Sequence, residues 1–367
     1  MKLRTITLMI CAVLICFISG CDSKDAVSQE KEKPAIEGRE IVDSVERTII
    51  VPYPEEIDSI SALYTVTGHI AIMLDEGDII TSCSKGLKRD KLILNMEPHI
   101  KDILMPKSGG VINMEELLNS DPDLVFLDTP AYWGKMGTDK LDKLGIPYFV
   151  IEFNSIEDEK YAVKTIGSIL GQEEEAEQYI KFFDRMLQIA DDITQKIPED
   201  EKWRVYHSIN EVTRTSAPGT LPAEWLEKAG CINVALEGDL EKEEDKFFTT
   251  VEDIMYWNPE VILVNEPGTY EYIHSKEEWQ DIDAVLNNRV YLMPTGISRW
   301  GHATSLETPL AIVWTLKTLY PEYSKEIDIK ALTNEFYLDL FEYELSDNEI
   351  EQILSGLDMR KAKNLQD

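Results

Sequence analysis

The sequence predicts an α/β fold of two Rossmann-like lobes with parallel sheets, joined by one long α-helix, with a ligand cleft between the lobes. Three observations predict it: apolar runs of strand length alternate with helical segments, one helix–strand unit occurs twice, and one long helical pattern separates the two halves. A chain of 367 residues also has the length of two domains rather than one.

The predicted strands are continuous apolar runs. Continuous rather than alternating apolar residues are typical of strands that helices cover on both faces, as in parallel sheets. These runs are Asp123–Asp128, Tyr148–Ile151, Val205–Ile209, Val261–Val264 and Val290–Met293.

The repeated unit spans Ile112–Leu127 and recurs without a gap as Thr249–Val264. Each copy predicts a capped helix start, a short helix, a proline stop and a buried strand. The N-cap, the acidic residue three positions later and the proline are Asn113, Glu116 and Pro122 in the first copy, and Thr250, Asp253 and Pro259 in the second. The duplication implies two similar lobes.

The segment between the halves carries one apolar face at helical spacing from Glu173 to Lys196, and Pro198 ends it. As the only connection between the lobes, this helix would form a stiff hinge. The remaining chain predicts helices at Leu306–Tyr320, Lys330–Phe341 and Ser346–Leu357, the last with a capping box.

The N-terminus reads as an export signal. Lys2 and Arg4 precede an uncharged apolar stretch that ends in Ile18-Ser-Gly-Cys21, which resembles the lipobox of bacterial lipoproteins. We therefore expect acylation of Cys21 and a stable membrane anchor, with an uncleaved anchor helix as the alternative. The predicted organisation is a signal peptide at 1–20, a tether at 21–40, an N-terminal lobe at 41–171, the connecting helix at 172–198, a C-terminal lobe at 199–323 and C-terminal helices at 324–367.

Charge and cysteine content exclude some classes of function. The net charge of −33 argues against a nucleic-acid partner, which requires a basic face. Outside the signal and Cys21, only Cys83 and Cys231 remain, and we expect both to be buried and unpaired.

No motif for catalysis is visible. The sequence lacks a phosphate-binding glycine loop, a G-x-S-x-G elbow and an H-E-x-x-H helix, and its five histidines are scattered without metal-ligand spacing. We therefore expect no enzyme activity, no cofactor and no metal site. An exported two-lobe hydrolase or oxidoreductase is the competing class, and its signatures are absent.

Candidate ligand residues lie in loops after predicted strands, where α/β sheets bind ligands. Aromatic faces and guanidinium groups there suit a flat or anionic ligand, although each side chain is also compatible with a core or ion-pair role. The candidates are Tyr132, Trp133, Arg214, Arg299, Trp300 and His302.

From Ile41 to Leu357 the chain resembles the class III periplasmic binding proteins, which serve importers of iron–siderophore complexes, haem and cobalamin. The resemblance rests on the unit at Asn113–Val125, the turn at Gly230–Val234, the unit at Trp257–Ile262 and the helix start at Ser305–Pro309. Two departures are Cys231 in place of a glycine and Glu260 in place of an aspartate.

The resemblance implies that Glu115 and Glu252, one per lobe, dock onto arginines of an ABC permease. The alternative is that both carboxylates only favour their helix N-termini, by about 0.3–1 kcal/mol each. It further implies a monomeric, lipid-anchored protein on the outer face of the cytoplasmic membrane. An iron–siderophore-type metal chelate ranks first as ligand, ahead of a corrinoid, haem or an oxyanion such as molybdate, and a ligand-sensing lipoprotein remains open.

Overall fold

The computed structural model describes residues 37–360 except 109, 136, 245 and 358. Cys21, the signal peptide and most of the tether lie outside these residues, so their predicted roles stay predictions. In the described part of the chain, no helix combines the length and the apolar character needed to span a bilayer.

Each of the five predicted apolar runs forms a strand, and ten further strands occur in the described part of the chain. In chain order they are β1 Arg39–Val42, β2 Thr48–Val51, β3 Ile60–Ala62, β4 Ile80–Ser84, β5 Leu104–Ser108, β6 Val111–Ile112, β7 Leu124–Asp128, β8 Tyr148–Ile151, β9 Arg204–Ser208, β10 Arg214–Thr215, β11 Ile232–Asn233, β12 Glu241–Glu243, β13 Lys246–Phe248, β14 Val261–Val264 and β15 Val290–Leu292. Strand β1 begins inside the segment predicted as tether.

The helices include the predicted connecting helix and the three predicted C-terminal helices. In chain order they are α1 Thr65–Met73, α2 Lys91–Met96, α3 Met114–Asn119, α4 Thr129–Trp133, α5 Thr138–Leu144, α6 Ile156–Leu170, α7 Glu173–Thr194, α8 Leu221–Lys228, α9 Val251–Trp257, α10 Pro267–Ser275, α11 Asp283–Leu286, α12 Thr308–Leu319, α13 Ile329–Phe341 and α14 Asp347–Ser355. The connecting helix is α7, and the C-terminal helices are α12, α13 and α14.

Two parallel-rich sheets confirm the predicted fold class. Among the described residues, the N-terminal sheet has the order β6-β5-β4-β3-β7-β8, with only β5 and β6 antiparallel. The C-terminal sheet, β11-β9-β14-β15, is parallel throughout. The chain crosses from β8 to β9 through α6 and α7.

The repeat places the same unit at the same position in each sheet. In the first copy, β7 pairs with β3 through Leu124 and Ile60, and in the second β14 pairs with β9 through Val261 and Val205. Each repeated strand is therefore the parallel neighbour of the first strand of its sheet, as expected of two similar lobes.

The helix starts of the repeat are capped, but not by the predicted reciprocal boxes. The side chain of Asn113 accepts from the backbone of α3, and that of Thr250 accepts from the backbone of α9. However, Glu116 accepts instead from the Met105 N–H at 3.0 Å, and Asp253 from the Thr250 hydroxyl at 2.6 Å. The complete box predicted at Ser346 is present.

A continuous core runs through both halves of the described chain. The apolar face of α7 is buried in it, with Tyr179, Phe183 and Met186 among the buried residues. Cys83 and Cys231 are buried and unpaired, as predicted, and burial raises the pKa of each thiol to about 12.

Candidate ligand-binding site

Three loops meet at the carboxyl ends of the C-terminal strands. Asn210 follows β9, Glu266 follows β14, and Arg299 lies in the loop after β15. Arg299 donates through Nη1 to a Glu266 carboxylate oxygen at 2.5 Å. The Asn210 amide nitrogen lies 3.2 Å from Nε2 of His302. This is the edge at which parallel sheets place ligands, as the sequence predicted.

The imidazole of His302 is neutral in this environment. Burial lowers its pKa well below the usual range, and the charges of Arg299, Arg214 and Arg360 lower that pKa further. Because the amide nitrogen of Asn210 is a donor, Nε2 accepts. The proton is therefore on Nδ1, which donates to the Thr304 hydroxyl at 3.1 Å.

Arg299 remains charged although it is nearly enclosed. Burial and the neighbouring charge of Arg360 lower the pKa of Arg299 to about 10, while Glu266 opposes this shift. Its side chain is 11% exposed. At neutral pH the site therefore holds a buried cation.

Four guanidinium groups act on this site: Arg89, Arg214, Arg299 and Arg360, which we call the basic cluster. Arg89 ends a 3-10 turn after β4 of the N-terminal sheet, so the cluster draws on both lobes. Like charges held together in a low-dielectric environment repel, and an anion between them would offset that cost. The concentration of positive charge is notable in a chain of net charge −33.

Polar atoms near the cluster are buried without hydrogen-bond partners among the described residues. They include Oδ1 of Asn210, Nδ2 of Asn265 and Nε of Arg299. Each such atom costs roughly 1–3 kcal/mol when it stays unsatisfied. Because these atoms lie beside the basic cluster, the site suits a polar ligand together with bound water molecules.

A buried carboxyl group holds the loop that carries Arg299. Glu307 accepts from the backbone N–H of Ser298 at 2.8 Å and from the hydroxyl of Tyr337 at 2.5 Å. Tyr337 in turn accepts from the Ile297 N–H at 2.9 Å. Burial raises the pKa of Glu307 to about 7, although these hydrogen bonds oppose the shift. The hydrogen bonds from these buried side chains therefore fix the conformation of the loop.

Gly296 is required for this packing, which gives a first prediction. A Cβ there would overlap with the Glu307 carboxylate and the Tyr337 hydroxyl. We expect Gly296→Ala to lower the free energy of unfolding by about 1–3 kcal/mol through overpacking, and to weaken ligand binding by moving Arg299. Urea unfolding followed by tryptophan fluorescence measures the first effect.

Gly268 provides the matched control, because a Cβ there meets no atom within 4 Å. Gly268→Ala should change the free energy of unfolding by less than about 1 kcal/mol. Equal stability of the two variants would contradict the role given to Gly296.

The aromatic candidates do not all join the basic cluster. Trp300 is 0% exposed, so the core covers its ring and it presents no surface to a ligand in this structure. Tyr132 and Trp133 stack edge-to-face at 4.9 Å, and the guanidinium of Arg47 lies 4.6 Å from the Tyr132 ring. Trp133 is 70% exposed. The structure thus brings together Arg214, Arg299 and His302 of the six candidates.

Sequence reasoning missed several residues of the site: Arg89, Asn210, Asn265, Glu266 and Arg360. Four of them could have been identified by their position after a strand. Arg89 follows β4, Asn210 follows β9, and Asn265 and Glu266 follow β14. Arg360 follows a helix near the C-terminus, where no local pattern indicates a ligand.

The candidate docking residues lie on equivalent exposed surfaces. Glu115 and Glu252 are exposed in the first turns of α3 and α9. Three positions later each helix exposes an apolar side chain, Leu118 at 46% and Met255 at 41%. The two lobes thus offer matched patches, each combining a carboxylate with an apolar contact.

One cluster of potential metal ligands lies elsewhere, although the sequence predicted none. Ligand atoms of Asp78, Glu97 and His99 all lie within 4.8 Å of one another. Asp78 precedes β4, and Glu97 and His99 precede β5, so the trio sits at the amino ends of the strands, opposite the basic cluster. Exposed acidic groups commonly occur without a metal, and we assign this trio no role.

The sequence is similar to those of known binding proteins. A family model described as periplasmic binding protein matches residues 60–295, more than half of the chain. The sequence is 25% identical over 332 residues to the molybdate-binding protein MolA of Haemophilus influenzae, covering 83% of this chain and 91% of MolA. It is 23% identical over 293 residues to the ABC transporter substrate-binding lipoprotein YvrC of Bacillus subtilis, covering 77% and 87%.

Solved structures share the fold. The molybdate-bound structure of Haemophilus influenzae MolA superposes with a TM-score of 0.74 at 23% identity, covering 84% of this chain and 99% of MolA. Helicobacter pylori CeuE with Ni(II) bound gives a TM-score of 0.70 at 19% identity, covering 86% and 99%. At these identities the likeness supports the two-lobed architecture alone.

Proposed function

Because the chain belongs to the periplasmic binding protein family, whose members bind solutes for ABC importers, we propose that it captures a compact oxyanion of the molybdate type and delivers it to a permease. The ligand would bind between the carboxyl ends of the two sheets. The relative MolA is named for molybdate binding, and this chain carries a basic cluster beside the carboxyl ends of its strands.

The observation that carries the proposal is that the charges of Arg214, Arg299 and Arg360 act on a neutral His302, while Arg89 acts on Arg299. Guanidinium groups donate through a planar fork that matches tetrahedral and planar oxyanions. A free divalent metal cation would be repelled by these four guanidinium groups, whereas an anion would be attracted to them.

The architecture is compatible with a role in transport. The chain crosses between the sheets through α6 and α7, and the buried face of α7 makes this connection stiff, so closure around a ligand would be small. The loaded protein would dock through Glu115 and Glu252, and the energy for import would come from the ATPase of the importer. The chain itself then needs no catalytic residue.

We further propose a monomer anchored through Cys21 on the outer face of the cytoplasmic membrane. The lipobox-like sequence and the acidic body support this arrangement, because a strongly negative protein stays soluble. A ligand-sensing lipoprotein would share every one of these features, and uptake measurements separate the two.

An anionic metal chelate of the iron–siderophore type, which the sequence ranked first, is the second candidate. The observation in its favour is the 70% exposed indole of Trp133 beside Tyr132, an aromatic surface that a small oxyanion does not need. The oxyanion ranks first here because the charged groups are nearly enclosed.

A ligand panel tests the proposal. The protein from residue 37 onward is melted in the presence of molybdate, sulfate, a ferric siderophore, haem and cyanocobalamin. A ligand present at 100 times its dissociation constant stabilises the native state by about 2.7 kcal/mol. We expect molybdate to raise the melting temperature by several degrees, since roughly 2–4 °C accompany each kcal/mol at this size. A shift produced only by cyanocobalamin, which carries no net charge, would contradict the proposal.

A further inference from the structure

The end of the described chain connects the two lobes by contacts that the sequence did not suggest. Helix α14 lies against the loop after β15, where the Thr295 N–H donates to the carbonyl of Ile353 at 2.9 Å. Beyond it, the carbonyl of Met359 accepts from the Lys91 N–H of the N-terminal lobe at 3.0 Å. The chain therefore passes from the loop that carries Arg299 to the loop after β4.

Asp90 fixes the position of Arg360. The two residues form an antiparallel bridge through their backbones, and Nε of Arg360 lies 3.2 Å from one carboxylate oxygen of Asp90. The other oxygen of Asp90 lies 3.1 Å from Nε2 of His69. Asp90 is fully buried between these partners, so it orients the arginine rather than meeting solvent.

The guanidinium of Arg360 is close enough to influence the ligand loop. Its charge lowers the pKa of both Arg299 and His302. The side chain is only 15% exposed. A guanidinium has five N–H donors and does not lose its proton in proteins, and a single carboxylate shared with His69 cannot accept from all five.

We propose that Arg360 is a ligand residue, supplied to the site by the C-terminal end of the chain, and that together with Arg299 it selects for a compact anion. This inference rests on the proposed anionic ligand. It makes the C-terminal helices part of the binding site: a ligand held by Arg299 and Arg360 would also join the loop after β15 to the Asp90 loop of the other lobe.

The test compares Arg360→Gln and Arg360→Lys with wild type in calorimetric titrations with sodium molybdate at several salt concentrations. Loss of one charge-assisted hydrogen-bonding group predicts a roughly 10- to 100-fold weaker affinity for Arg360→Gln. Lysine keeps the charge but not the fork, so its loss should be smaller, about 3- to 10-fold. The salt dependence of binding should become shallower for Arg360→Gln, because one cation fewer faces the ligand.

Arg185 supplies the control, because its ion pair with Glu335 lies on the exposed surface. Arg185→Gln should bind molybdate as wild type does. If both Arg360 variants bind molybdate with wild-type affinity, Arg360 has only a structural role and this inference alone is overturned. That conclusion holds whether or not the melting temperature of the ligand-free protein is lower. A wild-type protein that binds no anion of the panel would overturn both proposals, whereas loss in Arg299→Gln without loss in the Arg360 variants would leave the proposed function standing.

Discussion

Replacement of Arg299 by glutamine is expected to weaken molybdate binding by roughly 100-fold or more. Two effects add. The variant loses a charge-assisted donor, a contribution of about 1.5–3 kcal/mol. In the wild-type protein the Glu266 carboxylate contacts Arg299 at 2.5 Å. The variant therefore also leaves this carboxylate without its cation and close to the ligand. The repulsion between that carboxylate and the anion deepens the loss.

Calorimetric titration measures this change, and a second variant identifies its source. Arg299→Gln combined with Glu266→Gln removes the uncompensated carboxylate and should recover part of the lost affinity. The surface variant Arg185→Gln again serves as the control for loss of an arginine. Equal affinity of wild type and Arg299→Gln would remove Arg299 from the site.

The double substitution Glu115→Ala with Glu252→Ala is expected to reduce uptake to background while ligand affinity stays within about twofold of wild type. Both side chains are exposed, and the helix starts keep their N-caps at Asn113 and Thr250. The two carboxylates are therefore not needed for the fold beyond a helix-dipole contribution of about 0.3–1 kcal/mol each. Uptake is measured as molybdenum accumulated by cells that carry only the variant protein.

The first turn of α7 offers a matched control. Glu173 and Glu174 are exposed there and occupy the same kind of position at a helix N-terminus. Changing both to alanine removes the same charge from a helix outside the repeat, and uptake should persist. Undiminished uptake in the Glu115 and Glu252 double variant would eliminate the docking assignment and favour either other contacts or a sensing role.

The fold was predictable where a pattern repeats over several residues. The apolar face of α7 carries a helical period, the strand runs have the length and continuous apolar character of buried strands, and the duplicated unit combines a capped helix with such a strand. The small antiparallel sheet β10-β13-β12 was missed, because two or three residues such as Glu241–Glu243 carry no such pattern. Its pairing comes from tertiary packing rather than local preference.

The site was only partly predictable, for a related reason. The position after a strand directed attention to Arg299 and His302, since topology alone brings those loops together, and their role in binding stays a prediction. The burial of Trp300 could not be read from the sequence, because an indole suits a core as well as a ligand surface. Arg360 reaches the site through contacts with Asp90, far away along the chain, and no local signal reports such a contact.

The most direct test of the proposed anion binding is a calorimetric titration of the wild-type protein with molybdate at moderate salt. We expect saturable binding of one molybdate per chain with a submicromolar dissociation constant, equivalent to more than about 8 kcal/mol. We also expect weaker binding as salt increases, because the basic cluster supplies the attraction. The proposal would be contradicted if the protein bound neither molybdate nor any other anion of the panel and instead bound tightly a ligand that carries no net negative charge.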